Sequence, residues 1–206
     1  MDTNLAPTPT LLDSTTVIAP HLHHVNLKTR QIQAVIDWYT LVVGMRPNFQ
    51  FESGAFLSND DANHRLALLS HPDLKDDDEK VTRTGMHHLA FEYDDLDGLL
   101  GTYVRLKAEG IVPHIALDHG LTTSFYYLDP DGNSVELQAD NFGDWGKSTA
   151  FMREDERFRA DPIGSPIDPD DLVALRERGE SPEAIHTRAY AGEFPPKGPV
   201  DPRMPL

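Results

Sequence analysis

The chain of 206 residues contains no cysteine. Disulfides, thiolate metal sites and cysteine nucleophiles are thereby excluded, and any metal must be held through nitrogen and oxygen. No apolar run is long enough to span a bilayer, and residues 1–20 lack the basic start and apolar centre of a cleaved signal peptide. A cytoplasmic location without membrane association is the expectation. Basic residues are few: 18 Lys and Arg stand against 34 Asp and Glu, a formal net charge of -16. That charge opposes a phosphate backbone, which argues against nucleic acid as a partner. What remains, 39% hydrophobic and 25% charged residues, is the composition of an ordinary packed domain.

The chain has ten histidines, and four of them fall in an internal repeat. His23-His24-Val25-Asn26-Leu27 returns as His87-His88-Leu89-Ala90-Phe91, an offset of 64 residues that holds through Tyr39 and Tyr103. Each copy ends in a strand opened by asparagine, Asn63-His64-Arg65-Leu66 in the first and Asn133-Ser134-Val135-Glu136 in the second. On this alignment Leu66 stands where the second copy carries the carboxylate Glu136.

Periodicity predicts the same element order twice. In copy one a strand from His23 leads into a helix over Ile32–Val43 closed by Gly44, then strands over 48–52, 55–58 and 64–69. Copy two gives a strand over 87–93, a helix over 96–108, and strands over 112–117, 122–128 and 134–138. The Asp129-Pro130-Asp131-Gly132 turn joins its last two strands as a hairpin. The fold class is therefore α+β, with paired βαβββ modules and a helical C-terminal tail. The organisation reads as an N-terminal arm (1–20), a first module (21–80), a second module (81–140) and an extension (141–206). In the extension helices are predicted over 145–158, 169–178 with Asp168 as N-cap, and 182–191, wrapped on the repeat pair.

Strand parity sorts the histidines. Side chains alternate between faces, so His24 opposes the apolar Val25 and Leu27, and His88 opposes Leu89 and Phe91. Glu136 likewise opposes Val135 and Leu137. Three donors, His24, His88 and Glu136, are thus expected on the side away from the helices, converging on one cavity as a metal site with open positions. His23 and His87 are expected to pack or to support the ligands. His71, His114 and His186 have no matched partners and read as surface or packing residues, and His21, whose counterpart is Gly85, gains no metal role from the repeat. The acidic run Asp76–Glu79 reads as a solvated connector, and Phe142 and Trp145 read either as a cover for the cavity mouth or as ordinary packing of the tail.

The strings His24-Val25-Asn26-Leu27, His88-Leu89-Ala90-Phe91 and Ser124 through Leu137 resemble the vicinal oxygen chelate superfamily, and within it the small one-domain type I extradiol ring-cleaving dioxygenases. The resemblance covers residues 22–140. It implies a glyoxalase-like fold with Fe(II) held by His24, His88 and Glu136, Mn(II) being suited to the same donors. It also implies catalytic roles for His64 as acid and base, for Tyr126 as a substrate-binding phenol, and for His119. The implied function is extradiol (meta) cleavage of a catechol with dioxygen in aromatic hydrocarbon catabolism, with 2,3-dihydroxybiphenyl or another 3-substituted catechol as substrate. A homo-oligomer is the implied assembly. Two other readings stand beside it: a metal-dependent isomerase or epimerase of the same superfamily, and a non-enzymatic drug-binding module. Leu66 argues against the isomerase, which takes a ligand from both closing strands.

Overall fold

A computed structural model of the chain describes residues 19–205; most of the expected N-terminal arm lies outside them. The described residues build two sheets. The first has the strand order β1-β4-β3-β2, from β1 (Val25–Lys28), β2 (Arg46–Phe51), β3 (Gly54–Ser58) and β4 (Leu66–Leu69). The second has the order β5-β8-β7-β6-β9, from β5 (His88–Tyr93), β6 (Ile115–Asp118), β7 (Thr122–Leu128), β8 (Ser134–Asp140) and the two-residue β9 (Ser165–Pro166). In each sheet the first strand of the repeat runs parallel to its last, β1 with β4 and β5 with β8. That pairing needs a crossover between the strands, and α1 (Ile32–Val43) and α2 (Leu96–Ala108) lie within it.

The helices form where the apolar spacing predicts. Val35, Ile36, Tyr39 and Val42 make the buried stripe of α1, which ends at Gly44 with φ 68°, a left-handed conformation that favours glycine. The N-cap of α2 is Asp95, whose side chain accepts from the Gly98 amide. The β6 strand starts later than expected, at Ile115, because Pro113 has no amide proton for a ladder. The strands preceded by His24 and His64 also start later. Val25 donates to the Arg65 carbonyl as the first bond of that ladder, so both histidines sit at the strand mouth.

The register corrects the alignment of the repeat. Ala90 stands opposite Glu136 in the second sheet, and its repeat mate Asn26 stands opposite Ala67 in the first. Ala67, not Leu66, is therefore the structural counterpart of Glu136, and Leu66 matches the core residue Val135. The shared asparagine misled because the two copies reach their closing strands by loops of unequal length. Copy one still offers no donor at that position.

The extension folds as α3 (Trp145–Glu154), α4 (Glu156–Ala160), β9, α5 (Pro169–Glu177) and α6 (Pro182–Tyr190). The helix expected over 145–158 breaks at Asp155, whose extended backbone and side-chain bond to the Phe158 amide make it the cap of α4. One apolar core joins the helix-facing sides of both sheets to Ile167, Leu172, Leu175, Ile185 and Phe194 of the extension. The repeated tyrosines fasten this arrangement. Tyr39 donates to Asp129 in the next module's hairpin at 3.3 Å, and Tyr103 donates to Asp170 of α5 at 2.8 Å. The extension thus stands to copy two as copy two stands to copy one.

Ile185 is wholly buried within this core. Ile185→Ala should lower the stability of the whole protein by about 2–5 kcal/mol, read as a single shifted transition in denaturant. A parental midpoint would show that the extension does not share the core.

Candidate active site

On β8, Val135 and Leu137 are fully buried in the core, and Glu136 lies between them on the opposite face, 5% exposed. A carboxylate so far from water needs donors. His88 at the start of β5 places Nε2 3.0 Å from Glu136 Oε2. The cross-strand neighbour Tyr126 donates its hydroxyl to Oε1 at 2.9 Å. Burial pushes the Glu136 carboxyl up, but its polar contacts with His88, Ser124 and Tyr126 outweigh it and hold the group below the usual glutamate range. Burial, with the Glu136 charge beside it, pushes the Tyr126 phenol far up, so it stays a protonated donor at neutral pH.

The Tyr126 oxygen also lies 2.8 Å from Nε2 of His119. The other His119 nitrogen, Nδ1, donates to the Ile163 carbonyl at 2.7 Å, which in a neutral ring leaves Nε2 as an acceptor. One phenolic proton therefore serves two acceptors, Glu136 and His119. The extension sets this geometry. Gly164, with φ +81°, lets residues 163–166 approach so closely that a Cβ there would fall 2.1 Å from the Asp118 carbonyl. Asp118, fully buried, accepts from the Gly120 amide at 2.8 Å and pairs with His186 of α6 at 2.9 Å.

The first module supplies a second group. His23, His24 and His64 bring one ring nitrogen each to within 4.8 Å of one another. His23 and His24 approach through their Nδ1 atoms at 3.1 Å, and the His24 and His64 rings are 4.4 Å apart between centroids. His64 Nδ1 lies 2.7 Å from the Asn63 side-chain oxygen, and the ring stacks on Phe56 at 4.9 Å. Burial, reinforced by His24 and His23 alongside, lowers the His64 pKa below the usual 6.5. The ring is therefore neutral at pH 7.

The expected donor set is thus divided. His88 is joined to Glu136, whereas His24 turns to His23 and His64; among the described residues the only three-donor cluster within 4.8 Å is that of the first module. His24 and His88 nevertheless line one open cavity of about 790 Å³ between β1 and β5, with Leu22, Met86 and Leu89 also in its wall. His88 and Glu136 fit a divalent ion in kind and in spacing, whereas His24 fits in kind alone. Two adjacent ligands at metal bonds of about 2.1 Å stand roughly 3 Å apart, which is the His88 to Glu136 separation.

Several side chains had no functional signal in the sequence. Ser124 reaches Glu136 from the neighbouring strand β7. His114 and His186, read from sequence as unpartnered, hold Ser134 at 3.0 Å and Asp118 at 2.9 Å respectively. His71 is exposed, in keeping with its surface reading, and His21 is exposed too. Trp145 is exposed and donates to Glu92 of the cavity wall at 2.8 Å. Phe142 packs on Phe151 and His186 instead. The acidic run is exposed, with Asp76 paired to Arg30 at 2.7 Å and Glu79 paired to Arg83.

Comparison with known proteins bears on the whole arrangement. The family described as the Glyoxalase/Bleomycin resistance protein/Dioxygenase superfamily matches residues 21–137. Biphenyl-2,3-diol 1,2-dioxygenase 2 of Rhodococcus globerulus is 38% identical over 180 residues, 87% of this chain and 94% of that protein. Biphenyl-2,3-diol 1,2-dioxygenase 3 of the same organism is 36% identical over 174 residues, 84% of this chain and 91% of that one. Catechol-2,3-dioxygenase of Bacillus subtilis (strain 168) is 28% identical over 120 residues, 58% of this chain and 41% of that one. With two βαβββ repeats and a histidine–carboxylate pair on the strands expected to carry it, the chain belongs to the Glyoxalase/Bleomycin resistance protein/Dioxygenase superfamily.

Proposed function

We propose that this protein is an extradiol dioxygenase that opens the ring of a catechol beside its two hydroxyls, with 2,3-dihydroxybiphenyl or another 3-substituted catechol as substrate. The observation that carries the proposal is the His88–Glu136 pair at 3.0 Å, with the Tyr126 proton shared between Glu136 and His119 behind it. The two relatives named as biphenyl-2,3-diol dioxygenases support it, because each matches this chain over most of both lengths.

His24, His88 and Glu136 are the residues proposed to hold Fe(II), or Mn(II) in its place. When bound by two imidazoles and one carboxylate, such an ion supplies open adjacent positions for both catechol oxygens and dioxygen. The single carboxylate suits the charge, since Fe(II), Glu136 and a singly deprotonated catechol sum to zero and are cheaper to bury together.

The chain's own residues divide the remaining work. His64, neutral at pH 7 and with Nδ1 engaged by Asn63, presents Nε2 as the base that accepts a proton from a catechol hydroxyl and later returns it. On substrate binding Tyr126 turns its single proton from Glu136 and His119 to the substrate oxygen nearest Glu136. His119, anchored by the Ile163 carbonyl, aims that phenol. The substrate ring is proposed to lie in the open cavity between β1 and β5, whose wall holds His24, Met86 and His88.

An isomerase of this superfamily would need a donor on β4 opposite Asn26, where the side chain is the methyl of Ala67. A drug-sequestering module would have no use for a buried carboxylate held by a histidine.

His64→Ala should retain the metal while turnover, followed as oxygen uptake and yellow product from 2,3-dihydroxybiphenyl, falls about 10²- to 10⁴-fold; unchanged turnover would remove His64 from the mechanism. Because the folded His64 pKa is depressed, the base form persists as pH falls past 6.5. The acid limb of kcat/KM should therefore lie below pH 6.5, and an acid limb above that value would contradict the assignment. Glu136→Gln keeps the shape but removes the charge. It should lose the metal on dialysis, and a fully loaded variant would reject the ligand assignment.

A further inference from the structure

Next to the second metal-facing histidine is a relay of hydrogen bonds that ends in the last residues of the chain. Residues 200–203 lie as a strap along the mouth of the second sheet. The Asp201 amide donates to the His114 carbonyl at 3.0 Å, and the His114 ring returns a bond to the Asp201 carbonyl at 2.6 Å. Arg203 reaches the Gly132 carbonyl at 3.4 Å from the far end. The strap is thus tied to β6 on one side and to the hairpin before β8 on the other.

The next strap carbonyl, that of Pro202, lies 3.0 Å from Nε2 of His87. His87 Nδ1 in turn lies 2.7 Å from Nδ1 of His88. Proton accounting along this path has one solution for neutral rings. A carbonyl only accepts, so His87 Nε2 carries the hydrogen and Nδ1 is left with its lone pair. His88 Nδ1 must then be the donor, and His88 Nε2 is the bare nitrogen. That bare nitrogen is the one 3.0 Å from Glu136 Oε2. Two electron-pair donors facing one another at that distance, one of them a buried carboxylate, repel unless a cation or a proton lies between them.

We propose that His87 is a positioning residue for the metal site, and that the C-terminal strap, acting through it, holds His88 in the tautomer that offers Nε2 to a divalent ion. This rests on the reading that His88 is a ligand. The chemistry is that of the outer-shell partners of metal-bound imidazoles, which set ring orientation and raise basicity; here the partner is another imidazole, and its own orientation is set by a backbone carbonyl more than a hundred residues away in sequence. The path also gives the last residues a task that their irregular, proline-rich sequence conceals.

The test is anaerobic Fe(II) affinity of the full-length protein, measured by chelator competition, with the His88 ring nitrogens read by long-range proton–nitrogen correlation in histidine-labelled protein. His87→Ala should weaken Fe(II) binding about 10- to 100-fold and mix the His88 tautomers. His87→Asn, whose amide oxygen can accept near the old Nδ1, should recover most of the affinity. His114→Ala, which removes one of the strap's ties and leaves the backbone bond from Asp201, should weaken binding in the same direction by a smaller factor. Parental affinity and an unchanged His88 tautomer in His87→Ala would overturn the relay, and parental affinity in His114→Ala would overturn the role of the strap. His88→Ala separates the two layers: if it binds Fe(II) like the parent, the ligand reading itself fails, whereas loss in His88→Ala with none in His87→Ala removes only the relay. Thermal denaturation of each variant identifies any that lose affinity by unfolding.

Discussion

A nearly inaccessible carboxylate between two core strands is the constraint around which the second half of this protein is built. Glu136 cannot be solvated, so its charge must be met by hydrogen-bond donors or by a cation. His88, Tyr126 and Ser124 converge on it, and Ala90 directly opposite on β5 is small enough to leave them room. Tyr126 is then drawn into a chain that continues through His119 to the Ile163 carbonyl. Position on the sheet, the charge state of the carboxyl and the shared proton of the phenol are one connected arrangement.

The same arrangement explains why the extension belongs to the site. A peripheral tail would add only stability. Here Ile163 orients His119, Gly164 permits the close approach, and His186 hydrogen-bonds the buried Asp118 beside them. Residues 200–203 reach the opposite edge of the site through His87. The repeated tyrosines show how the extension is placed, since Tyr103 fastens to Asp170 as Tyr39 does to Asp129. Both bonds tie a buried phenol to a carboxylate on the following segment, holding successive units of the chain together.

Much of this was legible from residue types and spacing. The two helices follow from 3.6-residue apolar periodicity, and the facing of Glu136 away from Val135 and Leu137 follows from strand alternation. The paired histidines marked the mouths of β1 and β5. Less legible was anything that depends on loop length. Matching Asn63 to Asn133 put Leu66 in the place that the ladder gives to Ala67, because a one-residue difference in the approach shifts an alignment without leaving a trace in hydrophobicity. The two-residue β9 was invisible for a related reason, since Ser165 and Pro166 carry no strand pattern and pair only because Gly164 brings them to β6.

By itself the sequence determined the repeat, the α+β class and the residue types able to hold a divalent ion without sulfur, because periodicity and side-chain chemistry are local properties. The tertiary structure alone decided which histidine meets which partner. It joined His88 to Glu136, drew His24 toward His23 and His64, linked His119 to Tyr126, and assigned His114, His186 and His87 to contacts that sequence spacing does not express. Those choices depend on strand register and on the path of a distant extension, and hydrogen bonds between residues far apart along the chain exist only after both are set.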